Sequence, residues 1–116
     1  MKMSPEAVSR WRKYRAGLSE VVKAKRYRDG HLKIYGLNSE SYDVLFTAQH
    51  GLCAICGLPE VATMRGKVKR LAVDHRHSDD KVRGLVCSKC NTAIGLLDED
   101  PKKFEAAMLY LERTNA

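Results

Sequence analysis

The sequence predicts an α+β fold in which paired cysteines enclose two short strands and a helix, with further helices before and after them. Three observations predict it. Cys53-x-x-Cys56 and Cys87-x-x-Cys90 bracket 30 residues that include Asp74-His75-Arg76-His77. Within that bracket, Leu71-Ala72-Val73 and Val82-Arg83-Gly84-Leu85-Val86 read as short strands, joined by a turn over His77-Ser78-Asp79-Asp80-Lys81. Outside it, apolar residues recur at spacings of three and four, the period of a helix with one buried face.

Each element has its own local signal. Ser4 before Pro5 is a helix N-cap with proline at the first helical position. Val8, Trp11, Tyr14, Leu18 and Val21 then give one apolar face on an otherwise basic segment. Gly17 and Gly30 weaken that helix by about 1 kcal/mol each relative to alanine, so a break near Gly17 into two shorter helices is expected. Gly36 suits a left-handed C-cap. Asn38 caps a second helical segment from Ser39 to about Gln49, with Tyr42, Leu45, Phe46 and Gln49 on one face, and Gly51 stops it. Residues 57–70, with Gly57, Pro59 and Gly66, read as an irregular loop. A helix begins at the second cysteine pair and runs through Asn91 and Ile94 to about Leu97. Asp100-Pro101 caps a last helix with Phe104, Ala107, Met108 and Leu111 as its apolar stripe.

Composition bounds the class. A chain of 116 residues with 30% charged residues has a modest core, and such chains are often reinforced by a metal. No stretch is apolar for long enough to cross a membrane, and Met1-Lys2-Met3-Ser4-Pro5 lacks the apolar segment of a secretory signal. An intracellular, cytoplasmic protein is expected, and there four paired cysteines point to metal rather than disulfides. Two matched C-x2-C turns fill a tetrahedral shell with sulfur, which favours a closed structural zinc site over a redox pair or an iron–sulfur cluster. The net charge of +7 is unevenly placed. Residues 1–35 hold ten Lys/Arg against three acids, whereas residues 36–116 hold 11 of each. Residues 1–35 therefore read as a basic helical arm for nucleic acid, with Arg10, Arg12, Lys13 and Arg15 as phosphate contacts, and residues 36–116 as the zinc-stabilised domain.

The polar residues inside the clamp point to chemistry. Two antiparallel strands packed on a helix would bring Asp74 and Asn91 together as oxygen ligands for one hard divalent cation. His75 follows Asp74 directly and so faces the other side of the strand, unless the strand ends or twists there. An imidazole near neutrality can take a proton from water.

The same residues resemble a known family. Tyr35-Gly36-Leu37, Gln49, Gly51, Cys53-Ala54-Ile55-Cys56-Gly57, Val73-Asp74-His75-Arg76-His77, Val82-Arg83-Gly84-Leu85-Val86-Cys87 and Cys90-Asn91 are similar to the phage recombination endonuclease VII family, within the HNH or ββα-metal nucleases. The resemblance covers about residues 35–112. It implies a ββα-metal core with structural zinc on Cys53, Cys56, Cys87 and Cys90, and catalytic magnesium or manganese on Asp74 and Asn91. It also implies His75 as general base, His77 near the scissile phosphate or leaving group, and Arg83 as a phosphate contact or transition-state clamp. Arg76 joins Arg83 as a DNA contact. Three departures stand out: Ser78-Asp79-Asp80 replaces a Thr-Gly turn, Ile94 stands where some members carry a further acid, and the long C-terminal dimerisation region of the best-known members has no counterpart. The resemblance therefore supports nuclease chemistry on duplex or branched DNA more strongly than junction resolution. A zinc-containing DNA-binding protein without catalysis is the alternative. The faces Trp11–Val21 and Phe104–Leu111 are open either to homodimer formation or to packing within the chain.

Overall fold

Ser4 opens the first helix as its sequence suggests: its Oγ accepts from Ala7 N–H at 3.1 Å, and α1 runs Pro5–Ala16. The computed structural model describes residues 4–114, the side chains of Arg15 and Thr114 excepted. Met1-Lys2-Met3 and the Arg15 phosphate contact thus lie outside the described residues. The chain divides into two compact units, Met1–Val44 and Leu45–Ala116. No described helix is long and apolar enough to cross a membrane.

In the first unit the helix breaks at Gly17, and α2 (Glu20–Leu32) restarts with Ser19 as N-cap, its side chain accepting from Val22 N–H. A 3-10 turn over Lys33–Tyr35 ends at Gly36, which is left-handed at φ 72°. Asn38 and Ser41 then cap α3 (Ser39–Ala48) reciprocally: Ser41 N–H donates to Asn38 Oδ1 and Asn38 N–H to Ser41 Oγ, each at 2.8 Å. Asp29 ties α2 to the start of α3, accepting from Ser39 N–H at 2.7 Å and Ser39 Oγ at 2.6 Å. Those two bonds, with Lys25 alongside, hold the Asp29 carboxyl down at about 2. Of the expected apolar face, Val8 and Leu18 are half-buried, and Trp11 and Tyr14 are about half exposed.

The second unit is built on one hairpin. Strands β3 (Ala72–His75) and β4 (Val82–Val86) pair antiparallel, and α4 (Ser88–Leu96) packs on β3. Its deepest side chains are Leu85, fully buried, and Val86, 2% exposed, joined by Leu71, Cys53 and Cys87. Gln49 at the end of α3 bonds the edge of β4: Leu85 N–H donates to its Oε1 at 2.9 Å, and its Nε2 donates to Leu85 C=O at 2.8 Å. The chain turns sharply at His50 and Gly51, both at positive φ. A Cβ on Gly51 would come within 3.0 Å of the Phe46 ring, so glycine is needed there for space as well as for conformation. Helix α5 (Pro101–Thr114) starts at Asp100, whose Oδ1 accepts from Lys102 N–H at 3.0 Å. Phe104 and Ala107 are half-buried, while Met108 through Leu111 are exposed.

Two elements differ from expectation. Residues 57–70 are not an irregular loop: β1 (Thr63–Met64) and β2 (Lys67–Val68) form a second hairpin. Two-residue strands leave no alternation to read, so the signal was confined to Arg65-Gly66, a tip with both residues left-handed. The first strand of the central hairpin also starts one residue later than its apolar run and extends through His75.

Candidate active site

The four cysteine sulfurs all lie within 4.8 Å of one another, and Cys56 Sγ and Cys87 Sγ are 3.9 Å apart. Thiolates around one zinc at about 2.3 Å would be separated by a little under 4 Å, so the cluster is consistent with a zinc site. The backbone presents N–H groups to it. Ile55 N–H donates to Cys53 Sγ at 3.3 Å, and Cys90 N–H donates to Cys87 Sγ at 3.4 Å, with Cys87 as the N-cap of α4. Burial pushes the Cys53 thiol up, but the N–H groups of Cys56, Cys87 and Ile55 outweigh it and bring it down to about 6. Burial and the neighbouring sulfurs of Cys87, Cys56 and Cys53 push Cys90 up to about 12. The shell thus favours negative charge, while sulfurs so close together resist a second thiolate. A soft divalent cation satisfies both tendencies.

Beside the clamp, the hairpin carries a bulge at the residues singled out by sequence. Asp74 lies opposite Gly84 and His75 opposite Val82, so Arg83 is an extra residue on β4 and the regular pairing is interrupted there. Asp74 is 8% exposed, a depth at which a carboxylate needs a partner. Arg83 provides it with a fork: Nε donates to Oδ2 at 2.8 Å and Nη2 to Oδ1 at 3.0 Å. The same Nη2 reaches Glu99 Oε1 at 2.8 Å. Glu99 Oε1 is also 3.6 Å from His77 Nε2, and the His77 ring stands 5.1 Å from that of His75. Asp74, Arg83, Glu99, His77 and His75 therefore form one connected group at the end of β3. Asn91 sits in the first turn of α4, exposed, its N–H bonded to Cys87 C=O at 2.9 Å. A cleft of about 440 Å³ opens beside this group, lined by Asp74, Arg83 and Glu99 and by the apolar side chains of Ile94, Phe104 and Met108 among others.

Glu99 was not singled out by the sequence, in which only Asp100-Pro101 carries a local signal, that of a helix cap. Its position depends on two consecutive left-handed residues, Asp98 and Glu99, at φ 57° and 55°. Glu99 N–H bonds back to Ile94 C=O at 2.8 Å and closes the end of α4. Glutamate in that conformation costs of order 1–3 kcal/mol, a strain often found at functional sites. Ile94 lines the same cleft as Glu99, which reaches it from the turn that follows α4. Arg76, expected as a DNA contact, is exposed and holds Asp79 across the hairpin turn, Nε donating to Oδ1 at 2.9 Å. Arg10, Arg12 and Lys13 are exposed on α1 in the other unit.

Residues 28–113 match the recombination endonuclease VII family. The chain belongs to that family. Two homologous phage proteins are similar to it: the gene 59 protein of Mycobacterium phage D29, 33% identical over 97% of this chain and 63% of its own length, and that of Mycobacterium phage L5, 32% identical over 92% of this chain and 60% of its own length. The chain thus spans about three fifths of these relatives. No solved structure matches it.

Proposed function

We propose that this chain is a magnesium-dependent DNA endonuclease whose clamp of Cys53, Cys56, Cys87 and Cys90 holds a structural zinc. The observation that supports it best is the connected group Asp74–Arg83–Glu99–His77–His75, three of whose members, Asp74, Arg83 and Glu99, line a cleft. Asp74 and Asn91 are the residues to hold magnesium or manganese, and a hard oxygen donor set suits either ion. A carboxylate has about four lone-pair sites, so Asp74 can keep part of its Arg83 fork while offering an oxygen to a cation. When bound, the metal stabilises negative charge on the phosphate and on the leaving 3′-oxygen.

His75 takes a proton from the attacking water, whose oxygen forms a bond to phosphorus as the P–O3′ bond breaks. A proton from solvent completes the 3′-hydroxyl and leaves a 5′-phosphate. Arg83 and His77 face the phosphate with positive charge or hydrogen-bond donors, and Glu99 fixes the orientation of both. Residues 1–35, carrying Arg10, Arg12, Lys13 and Arg15, serve as a basic arm to the nuclease domain of residues 36–116 and supply affinity without sequence readout. The family's recombination context supports branched DNA as a candidate substrate beside plain duplex.

Supercoiled plasmid incubated with zinc-loaded protein and magnesium should be nicked or linearised, and omission of magnesium should stop the reaction. Binding of plasmid without cutting under any divalent metal would instead leave a DNA-binding zinc module. A panel of junction, flap, nicked and plain duplex then ranks the substrates.

A further inference from the structure

Between Glu60 and Asp74 the sequence carries four cations, Arg65, Lys67, Lys69 and Arg70, and no acid. The β1–β2 hairpin gathers them. Thr63 pairs with Val68 and Met64 with Lys67, Arg65-Gly66 forms the tip, and Lys69 N–H closes the base on Ala62 C=O at 2.8 Å. Arg65, Lys67 and Arg70 are exposed and Lys69 is half-buried. Among the described residues none of the four is ion-paired, whereas Arg76, Arg83 and Lys103 of the same unit all are. Four like charges on so short a hairpin repel one another, and a polyanion relieves that repulsion.

Two-residue strands do not hold a hairpin by themselves, so its position must be fixed from outside. Glu60 does this. Its Oε1 accepts from Val61 N–H at 3.1 Å and Ala62 N–H at 3.0 Å, while Oε2 accepts from Ser88 N–H at 2.6 Å. Ser88 follows Cys87, so one carboxylate fastens the hairpin to the cysteine clamp. On its other side, Arg70 runs through buried Leu71 into β3. Asp74 lies four residues beyond Arg70, at most about 13 Å of extended chain. That is about four base-pair steps along a duplex, which rise about 3.4 Å each.

We infer that the β1–β2 hairpin is a second DNA-binding element, a basic finger that grips the phosphate backbone of duplex DNA beside the scissile bond. It rests on the nuclease reading for its substrate but on different residues for its support. The exposed Met64 and Val68 flank the cations and supply apolar contact to the sugar edges of the same backbone. The finger carries no base-reading geometry, so its contribution is to affinity and placement.

The test is equilibrium binding of a labelled linear duplex to the zinc-loaded full chain, with magnesium withheld, across a salt series. Arg65→Gln/Lys67→Gln/Lys69→Gln/Arg70→Gln should lower the slope of log affinity against log salt by about 0.9 per lost contact, hence by roughly 3–4. At physiological salt that corresponds to an affinity loss on the order of 10²- to 10³-fold. The exposed tip pair, Arg65→Gln/Lys67→Gln, serves if the quadruple variant loses zinc, with a slope reduced by about 2. Wild-type affinity and slope in a zinc-replete variant would overturn the proposal. Tighter binding to phosphatidylserine–phosphatidylcholine vesicles than to DNA, lost with the same substitutions, would overturn it in favour of a lipid surface. If the wild type never cuts DNA yet the slope falls as stated, the nuclease reading fails while the finger stands.

Discussion

Replacing Gln49 tests how the first cysteine turn is coupled to the strand that carries Arg83. Gln49 makes three side-chain bonds: it accepts from Leu85 N–H at 2.9 Å, and its Nε2 donates to Leu85 C=O and to Leu52 C=O, both at 2.8 Å. Leu85 is fully buried, so water cannot replace the lost partner at its N–H. Ala54 N–H still reaches Leu85 C=O at 3.0 Å, leaving that carbonyl satisfied. Gln49→Ala therefore loses about three bonds worth about 1 kcal/mol each and orphans one buried donor, for a cost of about 3–4 kcal/mol. For a unit of this size each kcal/mol lowers Tm by about 4–8 °C, so a drop of roughly 12–30 °C is expected. Gln49→Glu keeps the acceptor for Leu85 N–H but turns a carboxylate oxygen toward two carbonyls. Its folded-state pKa would be raised, so its stability is greatest below about pH 4 and falls as pH rises through the folded value. Thermal and urea denaturation of zinc-replete protein measures both. A cost below about 1 kcal/mol for Gln49→Ala, with zinc retained, would refute the reasoning.

Four further outcomes are expected. Elemental analysis should find one zinc per chain, and Cys87→Ser should give insoluble or unfolded protein, because zinc binding supplies much of the folding free energy in so small a core; folded, zinc-free Cys87→Ser would contradict the clamp. His75→Ala should cut DNA about 10²–10⁴-fold more slowly with zinc and DNA affinity retained, whereas Asp74→Ala should recover part of its loss in excess magnesium or manganese; a His75→Ala protein of wild-type rate would sink the general-base role. Glu99→Gln should slow cleavage by about 10- to 100-fold through looser Arg83 and His77, with Glu99→Asp less affected, and equal rates for all three proteins would remove Glu99 from the site. The Asp29 carboxyl is depressed to about 2 by Ser39 and Lys25, so its contribution is present above the unfolded value of about 3.9 and is lost as pH falls toward 2. Urea midpoints measured down that range should fall more steeply for wild type than for Asp29→Asn, and parallel curves would show that Asp29 contributes nothing there.

The sequence alone determined whatever depends on a few neighbouring residues. Ser4-Pro5, Gly17, Gly36, Asn38 and Asp100-Pro101 set the helix ends, because capping and left-handed turns are satisfied within one turn of chain. The cysteine spacings likewise announced the sulfur cluster, and the ordered motifs announced the family. Tertiary structure decided where charges meet. Whether Arg83 turns toward Asp74 depends on the bulge opposite Asp74–His75, and bulges follow from pairing register rather than from residue type. Glu99 joins the group only because α4 ends in two left-handed residues that its own sequence disfavours. The basic hairpin was equally hidden: its strands are too short to show a period, and the Glu60 carboxylate fastens it across to the start of α4. Local conformational preference decays over a few residues, whereas these three features depend on residues brought together from distant parts of the chain.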